Sequence, residues 1–191
     1  GACSCCVLVQ TCDAYAWAWR DWARLFLEPW LRLNTGWPVF LLTERESAVP
    51  AGCEALPVEG EFSDRLLRAL SSGPVGRYGR VLYLQEDFWP VAPLPLAALR
   101  SAERLVAGGG AGCVRLMNAP EVGAARVGRV ALREARGGER ADLDGRPLRY
   151  LQPSSPFLLS HQAAVWAREA LAGAMAPGED AFRNEVLGTR R

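Results

Sequence analysis

Near its start the chain has the sequence Cys6-Val-Leu-Val-Gln-Thr11, a β-branched apolar run that ends in polar residues. This pattern is typical of a strand that is buried on both faces of a parallel sheet. The runs Trp37–Thr43 and Val81–Leu84 have the same character, and a long stretch with helical spacing of apolar residues lies between the first two runs. This alternation of strand and helix predicts an α/β fold.

The helical stretch extends from Ala14 to Leu33, and Pro29 is expected to break or kink it. We expect its aromatic side chains to pack in the core rather than to form a platform for a ligand.

Further along the chain, Ser63 is the predicted N-cap of a helix over residues 64–70. The remaining segments predict a short strand near 55–58, a helix over 94–106, a strand over 113–117, a helix over 161–175 and a last helix after Gly178.

The region after residue 117 has a different pattern. Val127–Arg136 and Arg146–Leu151 alternate between apolar and polar residues, which indicates antiparallel strands, and Asp144-Gly145 is a hairpin-turn signal. No internal repeat and no long linker divides the chain. We therefore predict one domain over residues 1–191, with an open mixed sheet flanked by helices and a small antiparallel appendage in the C-terminal half.

The composition is that of a folded domain of ordinary size. The chain has 191 residues, of which 50% are hydrophobic and 23% are charged, so it has enough apolar surface to form a core. Its net charge of +1 argues against charge-driven binding of nucleic acid. All 22 basic residues are arginines, which excludes Schiff-base chemistry and a P-loop lysine but leaves guanidinium groups suited to phosphate.

Three common sequence signals are absent. No apolar run approaches the ~20 residues that a membrane-spanning helix needs. The first residues lack the basic and apolar regions of a secretory signal, which predicts a cytoplasmic location. None of the six cysteines stands in a zinc-ribbon spacing, and we expect them to be unlinked and mostly buried.

Polar residues follow the predicted strands where each one ends. Thr11 and Asp13 come after the first strand, and Glu86 and Asp87 come directly after the third. In open α/β sheets, ligands bind at the carboxyl ends of the parallel strands. Two adjacent carboxylates at such a position repel each other and call for a cation, so the pair predicts a site for Mg²⁺ or Mn²⁺ shared with substrate phosphates. The alternative is that both acids cap the following loop or pair with arginine.

Four motifs together resemble small bacterial nucleotide-sugar glycosyltransferases of the GT-A fold, and they occur in that family's order. They are Val7-Leu-Val-Gln-Thr-Cys-Asp-Ala-Tyr15, Phe62-Ser-Asp-Arg-Leu-Leu-Arg-Ala-Leu70, Val81-Leu-Tyr-Leu-Gln-Glu-Asp-Phe88 and Ser160-His-Gln-Ala-Ala-Val-Trp166. The resemblance extends from about residue 7 to residue 188. It implies a Rossmann-like enzyme that transfers a sugar from a nucleoside diphosphate, with a UDP-sugar favoured, to a hydroxyl acceptor such as a growing surface polysaccharide.

The resemblance also implies roles for residues near the first strand and in the second motif. Thr11, Asp13 and Tyr15 stand where such enzymes contact the base and the ribose of the nucleotide. Asp64 and Arg65 occupy the stretch that in such enzymes reaches ribose or phosphate. All five are therefore candidate nucleotide-sugar-binding residues.

The third motif carries the implied metal site. Gln85-Glu86-Asp87 stands where the family has its acidic metal motif, often Asp-x-Asp, and Asp87 matches the metal ligand. Gln85 replaces the first acid, so Glu86 is expected to contribute to the nucleotide-sugar site. The implied cofactor is Mn²⁺ or Mg²⁺.

An inverting sugar transfer needs a carboxylate to take the proton of the acceptor hydroxyl. Glu185 resembles an acidic position near the C-terminus of the family, and Asp180 stands at a predicted helix start, so both remain candidates. The only histidine, His161, is expected to be a structural hydrogen-bonding residue. The late arginines Arg183, Arg190 and Arg191 are expected to belong to a solvated tail rather than to fold over the diphosphate.

Two other functions remain open. One is a nucleotidyltransferase-like enzyme, although the glycine-rich loop followed by lysine that usually marks it does not occur after the first strand. The other is a non-catalytic module of the GT-A type that binds nucleotide sugars, which the glutamine at position 85 makes plausible.

Overall fold

A six-stranded mixed sheet forms the centre of the computed structural model, which describes residues 5–90, 92–116, 142–143, 146–147 and 159–190. The strands lie in the order β3-β2-β1-β4-β8-β5. The first four in that order are parallel to one another, and β8 runs antiparallel to both of its neighbours. The strands are β1 (Cys5–Gln10), β2 (Val39–Thr43), β3 (Glu54–Pro57), β4 (Arg80–Gln85), β5 (Cys113–Arg115) and β8 (Ala164–Ala167).

The central strands are buried on both faces, as their apolar runs predict. Alternate residues of β1 belong to different cores: Val7 and Val9 pack in one cluster, and Leu8 packs in the other. Five-residue β2 is likewise buried along its whole length. The α/β class and the open mixed sheet are therefore confirmed.

The first helical stretch is continuous but changes its winding. A 3₁₀ helix (Asp13–Ala18) leads into α1 (Trp19–Trp22), a π-helical turn (Ala23–Leu27) and α2 (Glu28–Arg32). Pro29 cannot donate a backbone hydrogen bond and its ring crowds the preceding turn, so the wider π turn just before it accommodates the proline without ending the helix. The predicted break is thus a local change of winding.

The aromatic residues of this stretch lie in the core, as expected. Trp22 and Trp30 each stack on Phe26 with ring centroids 5.8 Å apart, and the three side chains are at most 4% exposed.

The helices that follow are α3 (Phe62–Ser71), α4 (Gly73–Gly76), α5 (Leu96–Ala107), α6 (Arg168–Gly173) and α7 (Ala181–Gly188).

Ser63 is not the N-cap of α3, contrary to the sequence prediction. The helix begins one residue earlier, at Phe62, and Glu61 is its N-cap. The Ser63 backbone N–H donates to the carbonyl of Glu179 at 3.1 Å, while the Ser63 hydroxyl is buried without a hydrogen-bond partner among the described residues. A tertiary contact with the segment before α7 therefore replaces the local cap.

The predicted helix over 161–175 is also wrong in its first half. Ala164–Ala167 forms β8, and the helix α6 starts only at Arg168. Val165 lies opposite Leu82 of β4 on one side and opposite Val114 of β5 on the other. The alanine-rich sequence favours a helix locally. Between β4 and β5, however, the backbone of this segment forms hydrogen bonds with a strand on each side, and this pairing overrides the local preference.

The antiparallel appendage is described only in part. β6 (Asp142–Leu143) pairs with β7 (Arg146–Pro147) in antiparallel orientation, and Leu143 lies opposite Arg146, as expected for strands on either side of Asp144-Gly145. The predicted strand over 127–136 and residues 148–151 lie outside the described residues.

The structure also bears on the predictions about membrane-spanning helices and disulfides. Among the residues that the structure describes, no helix combines the length and the apolar character needed to cross a membrane. No disulfide links the five described cysteines to one another, as predicted, but only Cys5 and Cys6 of these five are buried, while Cys12, Cys53 and Cys113 are half-buried.

Candidate functional site

A polar pocket lies at the carboxyl ends of β1 and β4. Gln10 and Gln85, the last residues of these two strands, are paired in the parallel ladder, so the residues that follow them emerge at the same edge of the sheet. The pocket has a volume of about 190 Å³. It is lined by Gln10, Thr11, Cys12, Tyr15, Phe62, Arg65, Gln85, Glu86 and Asp87.

Five of the predicted site residues meet in this pocket. Thr11 and Tyr15 come from the segment after β1, Arg65 from α3, and Glu86 and Asp87 from the segment after β4. Three elements distant in sequence therefore contribute to one cavity. We call it the acidic pocket, because Glu86 and Asp87 are adjacent in its wall.

The Glu86 carboxyl is electrostatically unfavourable in its charged form. Burial raises the pKa of Glu86, and the neighbouring Asp87 carboxylate raises it further. The Thr11 hydroxyl and the Arg65 guanidinium act in the opposite direction but do not cancel the effect. A bound cation would relieve this repulsion, which is the physical condition expected of a metal site.

Arg65 is a buried clamp, with only 4% of the residue exposed. Its Nη2 donates to the carbonyls of Thr11 at 2.7 Å and Leu42 at 3.0 Å, and its Nε donates to the carbonyl of Val58 at 2.9 Å. Its Nη1 lies 3.9 Å from a carboxylate oxygen of Glu44. Burial lowers the pKa of Arg65 and the Glu44 carboxylate opposes that shift. The guanidinium thus places a fixed positive charge in the pocket wall.

Beside the acidic pocket lies a buried hydrogen-bonded pair, Gln10 and Tyr83, which sequence patterns did not predict; of the two, Gln10 lines the pocket. The Tyr83 hydroxyl donates to the Gln10 side-chain carbonyl at 2.8 Å, and the Gln10 amide nitrogen donates to the carbonyl of Phe62 at 3.0 Å. Burial raises the pKa of Tyr83 well above its ordinary value, and the Glu185 and Glu86 carboxylates raise it further. The polar residue at the end of an apolar strand, Gln10, was the signal that could have identified this pair.

Asp13 is outside the pocket lining and holds a neighbouring loop instead. Its carboxylate accepts hydrogen bonds from the backbone N–H groups of Glu44 at 3.0 Å, Arg45 at 2.9 Å and Glu46 at 3.1 Å. Burial acts to raise the pKa of Asp13, but these three hydrogen bonds and the Arg65 charge together lower it. The Asp13 carboxylate thus has internal partners, and its predicted contact with a nucleotide sugar stays a prediction.

Asp64 is also used within the fold. Its Oδ2 accepts a hydrogen bond from the backbone N–H of Gly178 at 3.0 Å, which ties α3 to the segment before α7. Gly178 has a φ of +73°, a conformation that favours glycine over other residues. Asp64 does not line the acidic pocket.

The two candidate bases lie on α7, outside the pocket lining. Asp180 is exposed and is the N-cap of α7, with its side chain accepting from the Arg183 backbone N–H at 2.7 Å. Glu185 is half-buried, and its Oε1 accepts from the backbone N–H of His161 at 2.7 Å. The Glu185 carboxylate nevertheless raises the pKa of Tyr83, whose hydroxyl donates to the pocket residue Gln10. Of the two, Glu185 is therefore the one with an electrostatic connection to the site.

His161 makes structural hydrogen bonds, in agreement with the sequence expectation. Its Nε2 lies 3.0 Å from the Asn184 side-chain oxygen. Because the Asn184 amide nitrogen donates to the Ala174 carbonyl and to Glu179, that oxygen is the acceptor and His161 is the donor. Burial lowers the pKa of His161, and the Glu185 carboxylate opposes this.

The late arginines are not gathered at the acidic pocket. Arg183 and Arg190 are exposed, in agreement with a solvated segment, and neither lines the pocket. Arg191 lies outside the described residues.

The fit of a divalent cation depends on Glu86 and Asp87. Within the described part of the chain, no group of three or more His, Cys, Asp and Glu residues is placed to hold a metal ion. Mg²⁺ and Mn²⁺ sites that are shared with substrate phosphates often need only one or two carboxylates from the protein. The adjacent pair in the acidic pocket meets that lower requirement.

Comparisons with protein-family models, with curated proteins and with solved structures find no match for this chain.

Proposed function

We propose that the protein is a glycosyltransferase of the GT-A type, which transfers a sugar from a nucleoside diphosphate to a hydroxyl acceptor with the help of Mn²⁺ or Mg²⁺. The acidic pocket carries this proposal, because it joins the first, second and third motifs of the resemblance in one cavity. The open mixed sheet, with its ligand pocket at the ends of parallel strands, agrees with such an enzyme.

The pocket residues have different tasks in this proposal. Tyr15 is half exposed at the pocket and offers an aromatic face to the nucleotide base, and Thr11 offers a hydroxyl to the ribose. Asp87 and Glu86 hold the divalent cation. When bound, the cation neutralises the negative charge that develops on the departing diphosphate. Arg65 adds a fixed positive charge on the same side of the site.

Glu185 is the proposed general base, in preference to Asp180. Each of the two carboxylates accepts one backbone N–H, but of the two it is Glu185 that acts electrostatically on Tyr83, whose hydroxyl donates to the pocket residue Gln10. In an inverting transfer the other oxygen of Glu185, Oε2, would accept the proton of the acceptor hydroxyl as that oxygen attacks the anomeric carbon.

Calorimetric titration with UDP in the presence of MnCl₂ tests the site. Asp87→Asn is expected to abolish the Mn²⁺-dependent part of UDP affinity while leaving the circular dichroism spectrum unchanged, because Asp87 is exposed. Asp21→Asn is the matched control, since Asp21 is a half-exposed acid paired with Arg24 on the first helical stretch. Unchanged Mn²⁺-dependent affinity in Asp87→Asn would exclude this pair as the metal site.

A non-catalytic nucleotide-sugar-binding module is the second candidate. The observation in its favour is Gln85, an uncharged residue that lines the pocket where the resemblance implies a first acid. Incubation with UDP-glucose and MnCl₂ separates the two functions: an enzyme releases UDP by transfer or by slow hydrolysis, and a binding module releases none.

A further inference from the structure

A second and larger cavity, of about 380 Å³, lies on one face of the sheet. Its floor is formed by Leu82 and Leu84 of β4, and Phe26 and Trp30 of the first helical stretch form one side. Every residue of its lining that the structure describes is apolar, and none of these residues carries a charge. We call it the apolar cavity.

The residues at the base of this cavity belong to the core. Leu82, Leu84 and Trp30 are each no more than 3% exposed, and all three are members of one buried cluster. Protein interiors contain few voids larger than a water molecule, and sites for small molecules are largely apolar cavities of ~300–1,000 Å³. The volume and the lining of the apolar cavity therefore suit a hydrocarbon group.

The segment after β4 forms part of the wall of both cavities. Gln85, Glu86 and Asp87 line the acidic pocket, and the next three residues, 88–90, line the apolar cavity. Consecutive Cα atoms are ~3.8 Å apart, so the two walls meet between Asp87 and Phe88. The Trp89 indole N–H also donates to the carbonyl of Glu86 at 2.8 Å, which fixes one wall to the other.

We propose that the apolar cavity binds the apolar part of the acceptor, so that the acceptor is an amphipathic alcohol. Its neutral hydrocarbon group enters the cavity, and its hydroxyl group lies toward Asp87 and the sugar donor. Because the described lining residues carry no charge, an ionic group in the cavity would be buried without a charged partner among them, which is costly. This inference rests on the proposed function and adds the chemical class of the acceptor.

Binding of n-octyl β-D-glucoside, compared with methyl β-D-glucoside, tests this proposal. The two probes share the sugar head and differ in the hydrocarbon chain, and both are titrated below the micellar concentration of the octyl compound by tryptophan fluorescence and calorimetry. We expect the octyl compound to bind at least tenfold more tightly and to serve as an acceptor for sugar from UDP-glucose.

Trp89→Ala is the test variant, because Trp89 lines the cavity but is 46% exposed, so its loss leaves the core intact. Octyl glucoside affinity should fall at least fivefold. Trp17→Ala is the matched control, since Trp17 is 77% exposed and lines neither cavity, and its affinity should be unchanged. Ala92→Trp, which adds bulk at an exposed position of the lining, should also weaken binding of the octyl compound.

The outcomes separate this inference from the proposed function. Equal affinity for the two glucosides, or unchanged octyl binding in Trp89→Ala and Ala92→Trp, would overturn the acceptor assignment even if Mn²⁺-dependent UDP binding is intact. Octyl binding in the cavity of a protein that does not bind UDP with Mn²⁺ would overturn the proposed function, and the acceptor role would fall with it.

Discussion

The carboxylate of Asp13 organises the loop after β2 by accepting three backbone N–H groups. The connection is reciprocal, because the Asp13 backbone N–H donates to Oε2 of Glu44 at 3.0 Å. Glu44 in turn lies 3.9 Å from the Arg65 guanidinium. A residue outside the acidic pocket therefore positions the loop beside Arg65, the buried cation in the described lining of the pocket.

Asp13→Asn is expected to destabilise the protein at pH 7 by about 1–2 kcal/mol, because hydrogen bonds to a charged acceptor are weakened. The folded-state pKa of Asp13 lies below its ordinary value of 3.8. The stabilisation is thus present above pH 3.8 and is lost as the pH falls through the lower folded-state value. Urea unfolding of both proteins from pH 7 down to pH 3 measures this. A difference that grows on acidification would contradict it.

Glu86→Gln is expected to have the opposite effect on stability. Because burial raises the folded-state pKa of Glu86, its charged form disfavours the fold at pH values above that pKa, and the neutral amide removes this cost. The variant should melt at a higher temperature at pH 7 and gain less stability from MnCl₂ with UDP. Differential scanning calorimetry with and without both ligands tests this. A variant that melts lower without ligand would show that the Glu86 charge is well compensated.

The strand-end positions predicted correctly that polar residues from two strands meet in one pocket, whereas ligand binding in that pocket stays a prediction. Thr11, Glu86 and Asp87 follow buried apolar strands, and the pairing of β1 with β4 brings them to one edge. Asp13 also follows a strand, and Asp64 is a candidate from the second motif of the resemblance, but both accept hydrogen bonds from backbone N–H groups of other segments, which a linear sequence does not show. Side-chain chemistry alone does not separate a ligand-binding acid from one that holds a loop.

At the scale of secondary-structure elements, β8 is a strand that the sequence pattern does not predict. The continuous apolar runs of β1, β2 and β4 are long enough to be recognised. β8 has only four residues, two of which are alanine, and it leads directly into α6. Its strand conformation comes from pairing with β4 and β5, so it depends on contacts between distant parts of the chain.

Val165→Ala distinguishes the strand from the helix that the sequence favours. Alanine is the better helix former, so a helical segment would be unaffected or stabilised. In the buried strand the change removes two methyl groups from a side chain with no exposed surface and should cost about 2 kcal/mol. Urea unfolding measures the difference, and Ala170→Ser on α6 serves as a control for a mild change in the neighbouring helix. A gain in stability for Val165→Ala would contradict the assignment of β8.

At the scale of the whole molecule, the sheet separates two cores and carries two cavities near the end of β4. One core lies against the first helical stretch and α5, and the other lies against α3 and α6. The acidic pocket opens between β1 and β4, and the apolar cavity lies on the side of the first core. A polar sugar donor and an amphipathic acceptor would therefore approach the same strand end from different sides.

Nucleotide-sugar binding is expected to raise the melting temperature of the whole protein. A ligand at 100 times its dissociation constant stabilises by about 2.7 kcal/mol, which corresponds to roughly 5–10 °C for a chain of this length. Screening UDP-, GDP- and TDP-sugars with MnCl₂ by thermal shift should show the largest increase for UDP-sugars. EDTA should cancel the increase, and Asp87→Asn should lack it. Equal melting temperatures across the panel would argue against nucleotide-sugar binding.

The fixed position of the Arg65 guanidinium affects the rate and the affinity of ligand binding. Its guanidinium is held by main-chain carbonyls at Thr11, Leu42 and Val58, so the cation is already immobilised before any ligand arrives. The entropic penalty of fixing a long flexible side chain is therefore met during folding instead of at the encounter with the ligand. Lysine carries a single ammonium group and lacks the planar guanidinium, so it could not donate to all three carbonyls. An Arg65→Lys substitution would therefore leave the segments at the ends of the strands less firmly held.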